Sequence, residues 1–547
     1  MKFKKLLAVG ATTILASITL AACGSNAAPK DQANFSSSDI IATMDSSTNT
    51  DVIGAQALNN TMEGLYRYKG KEVKPAMATK VVKPTNNGLT YTFPIRKGVK
   101  WSNGDPVTAN DFVYSWQRTV DPKTKSQYAY IYEGIKNAKD ITAGKKPVSS
   151  LGAKAVNKYT FQVTLEKPIP YFNQLIMNAT FLPQDKKVVQ QAGKKYGTSS
   201  KYLAFNGPYK MSSWSSPNNS WTMTKNSKYW NAKNVKTNKL NYQVTKDAST
   251  SMNLFQSHKL DLAAIGGDTA KQMKKDKHYT TQPQTSTFYF EMNQKKDPYF
   301  KNAKLRQAIS MSINRKQLVS KVLGSGDIPA NSVTPQKMSY DPANKSKDFT
   351  QETSQTGNAA TKYDPAQAKQ LWKQGLAETN MTGKSINITL LGDDTEVAKQ
   401  QNEFLQSELE KLPGVKVTLN NVPFKSRLSR SVSGDFDMVV SAWNADFPDP
   451  INFLSLFETS NAQNDGHWSN PQYDALLEKS MTTDANNPTA RWNDMKQAQD
   501  ILNKEQGVVP LYQVTQAYLK SNRMSGLDYG PSGSYNNVSL KLNNSKK

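Results

Sequence analysis

The 547 residues include a single cysteine, Cys23, and this limits how the chain can be stabilised. One thiol cannot form a disulfide within the chain, so the folded body must depend on buried apolar side chains. More than 500 residues is also more than one hydrophobic core normally supports. The sequence therefore predicts two or three lobes, each with its own core.

The first 22 residues have the layout of a secretory signal peptide. Residues 1–5 include three lysines, residues 6–20 are apolar or small, and two alanines precede Cys23. The apolar run is short for a membrane-spanning helix. Residues 20–23 resemble a bacterial lipobox, which implies cleavage before Cys23 and a diacylglycerol on its thiol. An ordinary signal peptide that happens to end near a cysteine is the alternative. Residues 23–38 are predicted to form a lipidated tether, because from position 27 onward they are small and polar.

The formal net charge of +26 comes mainly from dispersed lysines. There are 61 lysines and only 9 arginines, and acidic residues lie between them. Arginine is the usual choice for bidentate contacts with phosphates and bases, so we do not expect nucleic acid as a partner. Dispersed lysine on an exported protein favours proximity to an anionic cell envelope.

Apolar spacing predicts a mixed α/β chain. Alternating residues predict β-strands at residues 89–96, 159–165, 386–390 and 415–419. Helical spacing predicts helices over residues 302–323, 394–412 and 492–502. A further helix is predicted to begin at Asp364 and Pro365, a cap followed by a proline in the first turn. Residues 345–361 lack large apolar side chains and are predicted to form a surface loop.

No motif in the sequence indicates catalysis. The three histidines, His258, His278 and His467, are not paired at metal-ligand spacing, and neither H-E-x-x-H nor G-x-S-x-G occurs. A pair of carboxylates acting as acid and base would leave no pattern of this kind. We predict no catalytic residues, no metal and no cofactor.

One long segment and several short ones resemble a known family. The long segment is residues 91–128, YTFPIRKGVKWSNGDPVTANDFVYSWQRTVDPKTKSQY. The short ones are EGLY at 63–66, NGPY at 206–209, LRQA at 305–308 and VPLY at 509–512. Together they resemble the extracellular solute-binding proteins of ABC importers, in the branch of the oligopeptide- and dipeptide-binding proteins. The resemblance implies an α/β, periplasmic-binding-protein-like fold with three lobes and a hinged ligand cleft.

The resemblance also implies where the lobes begin and end. Lobe I is discontinuous and comprises residues 39–62, 187–285 and 516–547. Lobe II comprises residues 63–186, and lobe III residues 286–515. An extended peptide would lie between the lobes, paired through main-chain hydrogen bonds that tolerate many side chains.

Residues 436–450 (FDMVVSAWNADFPDP) match the ligand strand of the family. By this match, the main chain at Ala442 and Asn444 would pair with the peptide, and Trp443 would wall a side-chain pocket. Asp446 matches the carboxylate that binds the α-amino group of the peptide, although a helix cap or a surface acid is the alternative. Asp449, which precedes a proline, is predicted to be a helix N-cap.

Three further positions match the family's ligand cleft. Thr50 to Val52 match the backbone segment opposite the ligand strand. Tyr128 matches a tyrosine of the cleft, and Glu291 falls at an acidic position there. Partly buried core is the alternative interpretation for Tyr128.

The chain departs from the family where short peptides end. The well-known oligopeptide binders have histidine or arginine there to bind the C-terminal carboxylate, but Ala398, Ser431 and Val440 occupy the matching positions. Arg430 is next to one of them and is a possible substitute. These departures predict that longer peptides, or peptides of variable length, are accepted.

The resemblance implies a monomeric, lipid-anchored binding protein that delivers peptides to the permease of an ABC transporter. It would lie on the extracytoplasmic face of the cell membrane. The lysine-rich composition of a lipoprotein with many asparagines and serines favours an envelope of the Gram-positive type. A relative that binds a metal chelate, a sugar or a haem-like solute is one alternative. A peptide-pheromone receptor is another, and an extracytoplasmic hydrolase a third.

Overall fold

The computed structural model describes residues 31–70, 72–530, 534–543 and 545. The predicted signal peptide and Cys23 lie outside the described residues. Within those ranges, no helix has both the length and the apolar character needed to cross a membrane.

The described residues include twenty β-strands. In chain order these are β1 Gln32–Ser37, β2 Tyr66–Lys69, β3 Glu72–Pro75, β4 Thr90–Pro94, β5 Ala153–Asn157, β6 Thr160–Thr164, β7 Tyr209–Ser212, β8 Ser220–Lys225, β9 Lys239–Val244, β10 Leu262–Ile265, β11 Tyr279–Met292, β12 Ile328–Pro329, β13 Ile386–Asp393, β14 Val415–Val422, β15 Met438–Asn444, β16 Val509–Lys520, β17 Met524–Ser525, β18 Asp528–Tyr529, β19 Tyr535–Asn536 and β20 Lys541–Leu542.

The same residues include seventeen α-helices. These are α1 Val52–Thr61, α2 Ala109–Val120, α3 Ala138–Thr142, α4 Phe172–Leu175, α5 Lys186–Ala192, α6 Ala248–Gln256, α7 Gly267–Met273, α8 Ala303–Ser312, α9 Arg315–Gln317, α10 Phe349–Glu352, α11 Ser354–Thr361, α12 Pro365–Glu378, α13 Glu396–Leu409, α14 Phe424–Ser433, α15 Ile451–Leu454, α16 Pro471–Met481 and α17 Pro488–Glu505.

Eleven strands form one large mixed sheet. Its order is β14-β13-β15-β11-β16-β10-β1-β9-β8-β7, and β12 also pairs with β16. The long antiparallel pair of β11 and β16 lies in the middle and joins the two sides of the sheet. The predicted boundaries at 285/286 and 515/516 fall inside these two strands.

The apolar core of the described residues is divided into separate clusters. One cluster is built from residues 33–262 together with Met524, Val538 and Leu540 near the C-terminal end. Two others, which lie on the β13–β15 side of the sheet, are built from residues 289–512. The C-terminal residues thus return to the core of the first part of the chain.

The four predicted strands are confirmed as β4, β6, β13 and β14. Asp364 caps α12 as predicted, its side chain accepting from the backbone N–H of Gln367 at 3.1 Å. The predicted helices over 394–412 and 492–502 correspond to α13 and α17. Val397, however, is 49% exposed and does not face the core with the other apolar residues of α13, because it lies in the first turn of that helix.

The prediction of a tether over residues 23–38 is wrong for its last part. Residues Gln32–Ser37 form β1, which pairs in parallel with β9 over its whole length. Alternation buries Ala33 and Phe35, and the ring of Phe35 stacks on that of Tyr242 at 4.8 Å. Two buried side chains in an otherwise polar segment were too weak a signal to predict a strand.

Two other predictions of local structure are corrected. The helix over 302–323 is interrupted: α8 ends at Ser312, α9 follows Asn314, and a π-helical turn extends over Leu318–Leu323. The loop predicted over 345–361 contains α10 and α11 instead. There, Asp348 caps α10, and Phe349 is buried edge-on against Trp492 with ring centroids 5.0 Å apart.

Candidate functional site

A cavity of about 590 Å³ lies over one face of the central sheet, where β11 and β16 cross between its two sides. Five of the predicted site residues line it, namely Thr50, Val52, Tyr128, Asn444 and Asp446. They come from segments far apart in the chain, so the fold assembles this group.

Asp446 follows β15 and is partly buried at the wall of the cavity. One carboxylate oxygen, Oδ2, accepts a hydrogen bond from the hydroxyl of Tyr130 at 2.9 Å. No basic side chain among the described residues pairs with it, and burial raises the pKa of Asp446 above its usual value. A desolvated carboxylate without a cationic partner is well suited to receive a positively charged group from a ligand.

Tyr130 was missed by the sequence analysis. It is 48% exposed, and its ring lies 5.7 Å from that of Tyr128. Both aromatic rings therefore lie near Asp446, and no local pattern in the sequence indicates this approach because the two segments are 316 residues apart. Burial and the charge of Asp446 raise the pKa of both phenols, so both hydroxyls stay protonated, and that of Tyr130 donates to Asp446.

The backbone of β15 presents a partly open edge at the cavity. β13 pairs with β15 only at Met438 and Val439, so residues 440–444 have no strand on that side among the described residues. On the other side, β15 pairs with β11, and the N–H of Ala445 donates to the carbonyl of Thr285 within β11. Because backbone groups alternate along a strand, those of Ala442 and Asn444 point towards the open edge.

Across the cavity, Thr50 and Val52 flank the start of α1. Asp51 caps this helix, its carboxylate accepting from the N–H of Gly54 at 2.7 Å. Val52 is 72% exposed, which leaves an apolar side chain facing the cavity. Such a contact favours a ligand with apolar parts.

The structure does not bring Trp443 into the cavity. Its neighbour Asn444 lines the cavity, so alternation along β15 puts Trp443 on the opposite face. There it packs against the third apolar cluster and donates from Nε1 to Oδ1 of Asn452 at 2.9 Å. The side chain of Ala442 does not line the cavity either, which leaves its backbone as the group that could meet a ligand.

Glu291 is also outside the cavity, because it is only 2% exposed. Its Oε2 accepts from the N–H of Gly466 at 3.0 Å. Burial, together with the charge of Asp465, raises the pKa of Glu291 to about 8. We therefore assign it to the interior and not to the cleft.

Asp449 differs from Asp446 although the two are three residues apart. Its carboxylate is buried and forms a two-fold ion pair with Arg491, at 2.7 and 2.9 Å. It also accepts from the N–H of Ile451 at 3.1 Å, but Pro450 is the N-cap of α15, so the prediction that Asp449 is the N-cap is wrong.

The positions at which the chain departs from the family contribute no free cation. Ser431 and Val440 are buried, and Arg430 pairs with Asp435 at 2.8 Å. Among the residues that the structure describes, no three His, Cys, Asp or Glu side chains are close enough together to hold a metal.

Similarity to known proteins assigns this chain to a family. The model for bacterial extracellular solute-binding proteins, family 5 (Middle), matches residues 72–465. The chain belongs to this family. Its members are extracytoplasmic substrate-binding proteins of transport systems and not enzymes, which confirms the prediction that the chain is not catalytic.

Individual relatives span nearly the whole chain. A dipeptide-binding protein of Lactococcus lactis subsp. cremoris is 35% identical over 97% of this chain and 98% of its own. The structure of Listeria monocytogenes OppA bound to peptide is 39% identical, with a TM-score of 0.75 over 94% of this chain and 99% of that one. The pheromone receptor PrgZ is 35% identical, with a TM-score of 0.75 over 94% and 100% of the two chains.

Proposed function

We propose that this protein binds peptides in extended form in the cavity beside β15 and delivers them to the permease of an ABC transporter. The mature protein would be monomeric and held on the outer face of the cell membrane by a lipid on Cys23. It would require no cofactor and carry out no reaction itself.

One observation carries this proposal. Asp446 lies at a cavity, is partly desolvated and has no basic partner among the described residues. A free α-amino group is positively charged at neutral pH and would complete the ion pair, while Tyr130 holds the carboxylate from the other side. A sugar carries no cation that could pair with this carboxylate.

The open edge of β15 supports the extended conformation. A peptide that adds to this edge would exchange main-chain hydrogen bonds with Ala442 and Asn444, and these bonds do not depend on its side chains. With its amino group at Asp446, it would run antiparallel to β15 towards Val440. At Val439 the edge of β15 is already paired with β13. A longer peptide must therefore leave β15 and continue along the cleft.

The positions that match the family's carboxylate anchors offer no unpaired basic side chain that would select peptides of one short length. Arg430 is paired with Asp435, so it cannot easily serve as the missing partner of a peptide carboxylate. We therefore propose that longer peptides, or peptides of several lengths, are accepted.

A titration of ligand-free protein tests the proposal. The chain from residue 24 onward is unfolded, washed free of ligand and refolded, then titrated by calorimetry with a peptide mixture, a nickel chelate, a sugar and haem. Binding of the peptides alone is expected, and the peptides recovered afterwards should be intact by mass spectrometry. Binding of another solute without peptides would contradict the proposal.

A role in signalling is the second candidate, and the similarity to the pheromone receptor PrgZ favours it. Deletion of the gene distinguishes the two roles. Loss of growth on peptides as the amino-acid source indicates an importer, whereas normal growth with a lost transcriptional response to a peptide indicates a receptor.

A further inference from the structure

A second cavity, of about 380 Å³, continues the first one along the central sheet. The two share four lining residues, Ser38, Ala264, Val514 and Gln516, so they form parts of one cleft. The second cavity lies at the end away from Asp446, between the region after β9 and the start of α13.

Most of its wall is apolar. The rings of Phe288 and Tyr512 stack 4.8 Å apart and almost parallel, and Val514 extends this surface along β16. The exposed side chain of Val397 closes the cavity from the α13 side. A long aliphatic side chain would be desolvated well against these residues.

Two carboxylates line this cavity. Asp247 caps α6, its carboxylate accepting from the N–H of Thr250, whereas Asp327 lies beside the apolar residues of β16. Its Oδ1 accepts from the N–H of Thr515 at 2.8 Å, which fixes the orientation of the group. Burial raises the pKa of Asp327 to about 6, and no basic residue acts against this effect. Lys246 lines the same cavity, but it forms no ion pair with Asp327 in the described residues.

We propose that the second cavity is a subsite for a lysine or arginine side chain of the bound peptide, with the cation paired to Asp327. The aliphatic part of that side chain would lie on Phe288, Tyr512 and Val514. The inference rests on the peptide binding proposed above and adds a preference for one basic residue downstream of the amino terminus.

The combination of apolar walls and the carboxylate of Asp327 decides between ligand classes. A purely apolar side chain would remove water from Asp327 and give it no partner, which costs free energy. A lysine or arginine side chain suits both the apolar walls and the carboxylate, because its stem is apolar and its end is charged.

The test uses a series of peptides in which one lysine occupies each position in turn, with norleucine in its place as the matched control. Affinities are measured on wild-type protein and on Asp327→Asn, which keeps an oxygen for the N–H of Thr515. At one interior position, we expect lysine to bind about tenfold more tightly than norleucine to wild-type protein. In Asp327→Asn, this preference should disappear, because lysine loses its charge partner and norleucine no longer desolvates a carboxylate.

The outcomes separate this inference from the proposed function. If peptides bind but the ratio of lysine to norleucine is the same in both proteins, the subsite is wrong and peptide binding stands. An equal loss for both peptides in Asp327→Asn would also overturn the subsite, because it would assign Asp327 to the shape of the cleft. If no peptide binds to wild-type protein, the proposed function itself fails.

Discussion

At the scale of single residues, two aspartates three positions apart have opposite roles. Asp446 has a tyrosine hydroxyl as its partner and lies at a cavity, whereas Asp449 is buried in an ion pair with Arg491. The family match predicted a ligand role for Asp446, and the proline after Asp449 predicted a helix cap there, but nothing predicted the ion pair. Chemical type and spacing alone could not, because the partner Arg491 is 42 residues away in the chain.

Substitution of the two aspartates by asparagine should have different effects on the free energy of unfolding. Asp449→Asn leaves the buried guanidinium of Arg491 without its charge partner, so we expect the free energy of unfolding to fall by about 3–5 kcal/mol. Asp446→Asn removes a desolvated charge and keeps an acceptor for Tyr130, so stability should be unchanged or slightly higher. Urea unfolding followed by circular dichroism measures both, and equal losses would contradict these assignments.

The affinity for peptides should depend on pH through Asp446. The bound amino group requires the ionised carboxylate, and burial raises the pKa of Asp446 in the free protein. Affinity is therefore expected at its maximum above that pKa and to fall as pH decreases through it, by about tenfold per pH unit. Calorimetry between pH 4 and 7 measures this fall. An N-acetylated peptide should show a much flatter profile, and identical slopes for both peptides would refute the role of Asp446.

Glu291 should affect stability and not binding. The pKa of its carboxyl group is raised to about 8 in the folded protein, so the unfolded chain loses that proton at lower pH than the folded one. The stability of the wild-type protein thus decreases between about pH 4.5 and 8, by up to about 1.4 kcal/mol per pH unit from this group.

Glu291→Gln should remove that decrease. The variant is expected to gain stability relative to wild type as pH rises, which urea unfolding at pH 5, 6.5 and 8 would show. Asp268→Asn, at a side chain that is 96% exposed, serves as the control and should show no such trend. A difference between Glu291→Gln and wild type that stays constant with pH would contradict this explanation.

At the scale of elements, the strands with strong alternation were predictable and the weakly marked ones were not. β4, β6, β13 and β14 carry regular apolar alternation, whereas β1 has only Ala33 and Phe35 to mark it. The short helices α10 and α11 were missed because only a capping box and one buried phenylalanine mark α10, and α11 has no side-chain cap. In both cases, contacts with distant parts of the chain outweigh a polar composition.

The site is likewise predictable only in part. The resemblance identified β15 and Asp446, but it could not show that Trp443 faces the interior or that Tyr130 approaches Asp446. Those facts depend on the sheet face that each residue occupies and on packing between segments more than 300 residues apart.

The open edge of β15 gives a prediction about peptide backbones. A strand partner uses every second N–H for pairing, so methylation of alternate peptide nitrogens should have alternating effects. Near the amino terminus, we expect about a tenfold loss of affinity at every second position and much smaller losses between them. A scan of N-methylated peptides by calorimetry measures this. Uniform losses along the peptide would indicate that it is not bound as a strand.

At the scale of the whole molecule, the two long strands β11 and β16 connect the parts that face each other across the cleft. The register of their pairing shifts between Pro283 and Thr287, next to the cavity. Such an irregularity bends the sheet locally and provides a place where the angle between the two sides can change. The lobe boundaries at 285/286 and 515/516 remain a prediction, and they coincide with this region.

The central claim is that Asp446 binds the amino group of a peptide. It is tested most directly by titrating wild-type protein and Asp446→Asn with one peptide in free and N-acetylated form, with Asp268→Asn as the control. Either change alone should weaken binding by at least about tenfold, and the two together should cause little further loss, with a coupling energy of about 1.5 kcal/mol or more. Losses that simply add would show that the amino group and Asp446 act independently, which would contradict the claim.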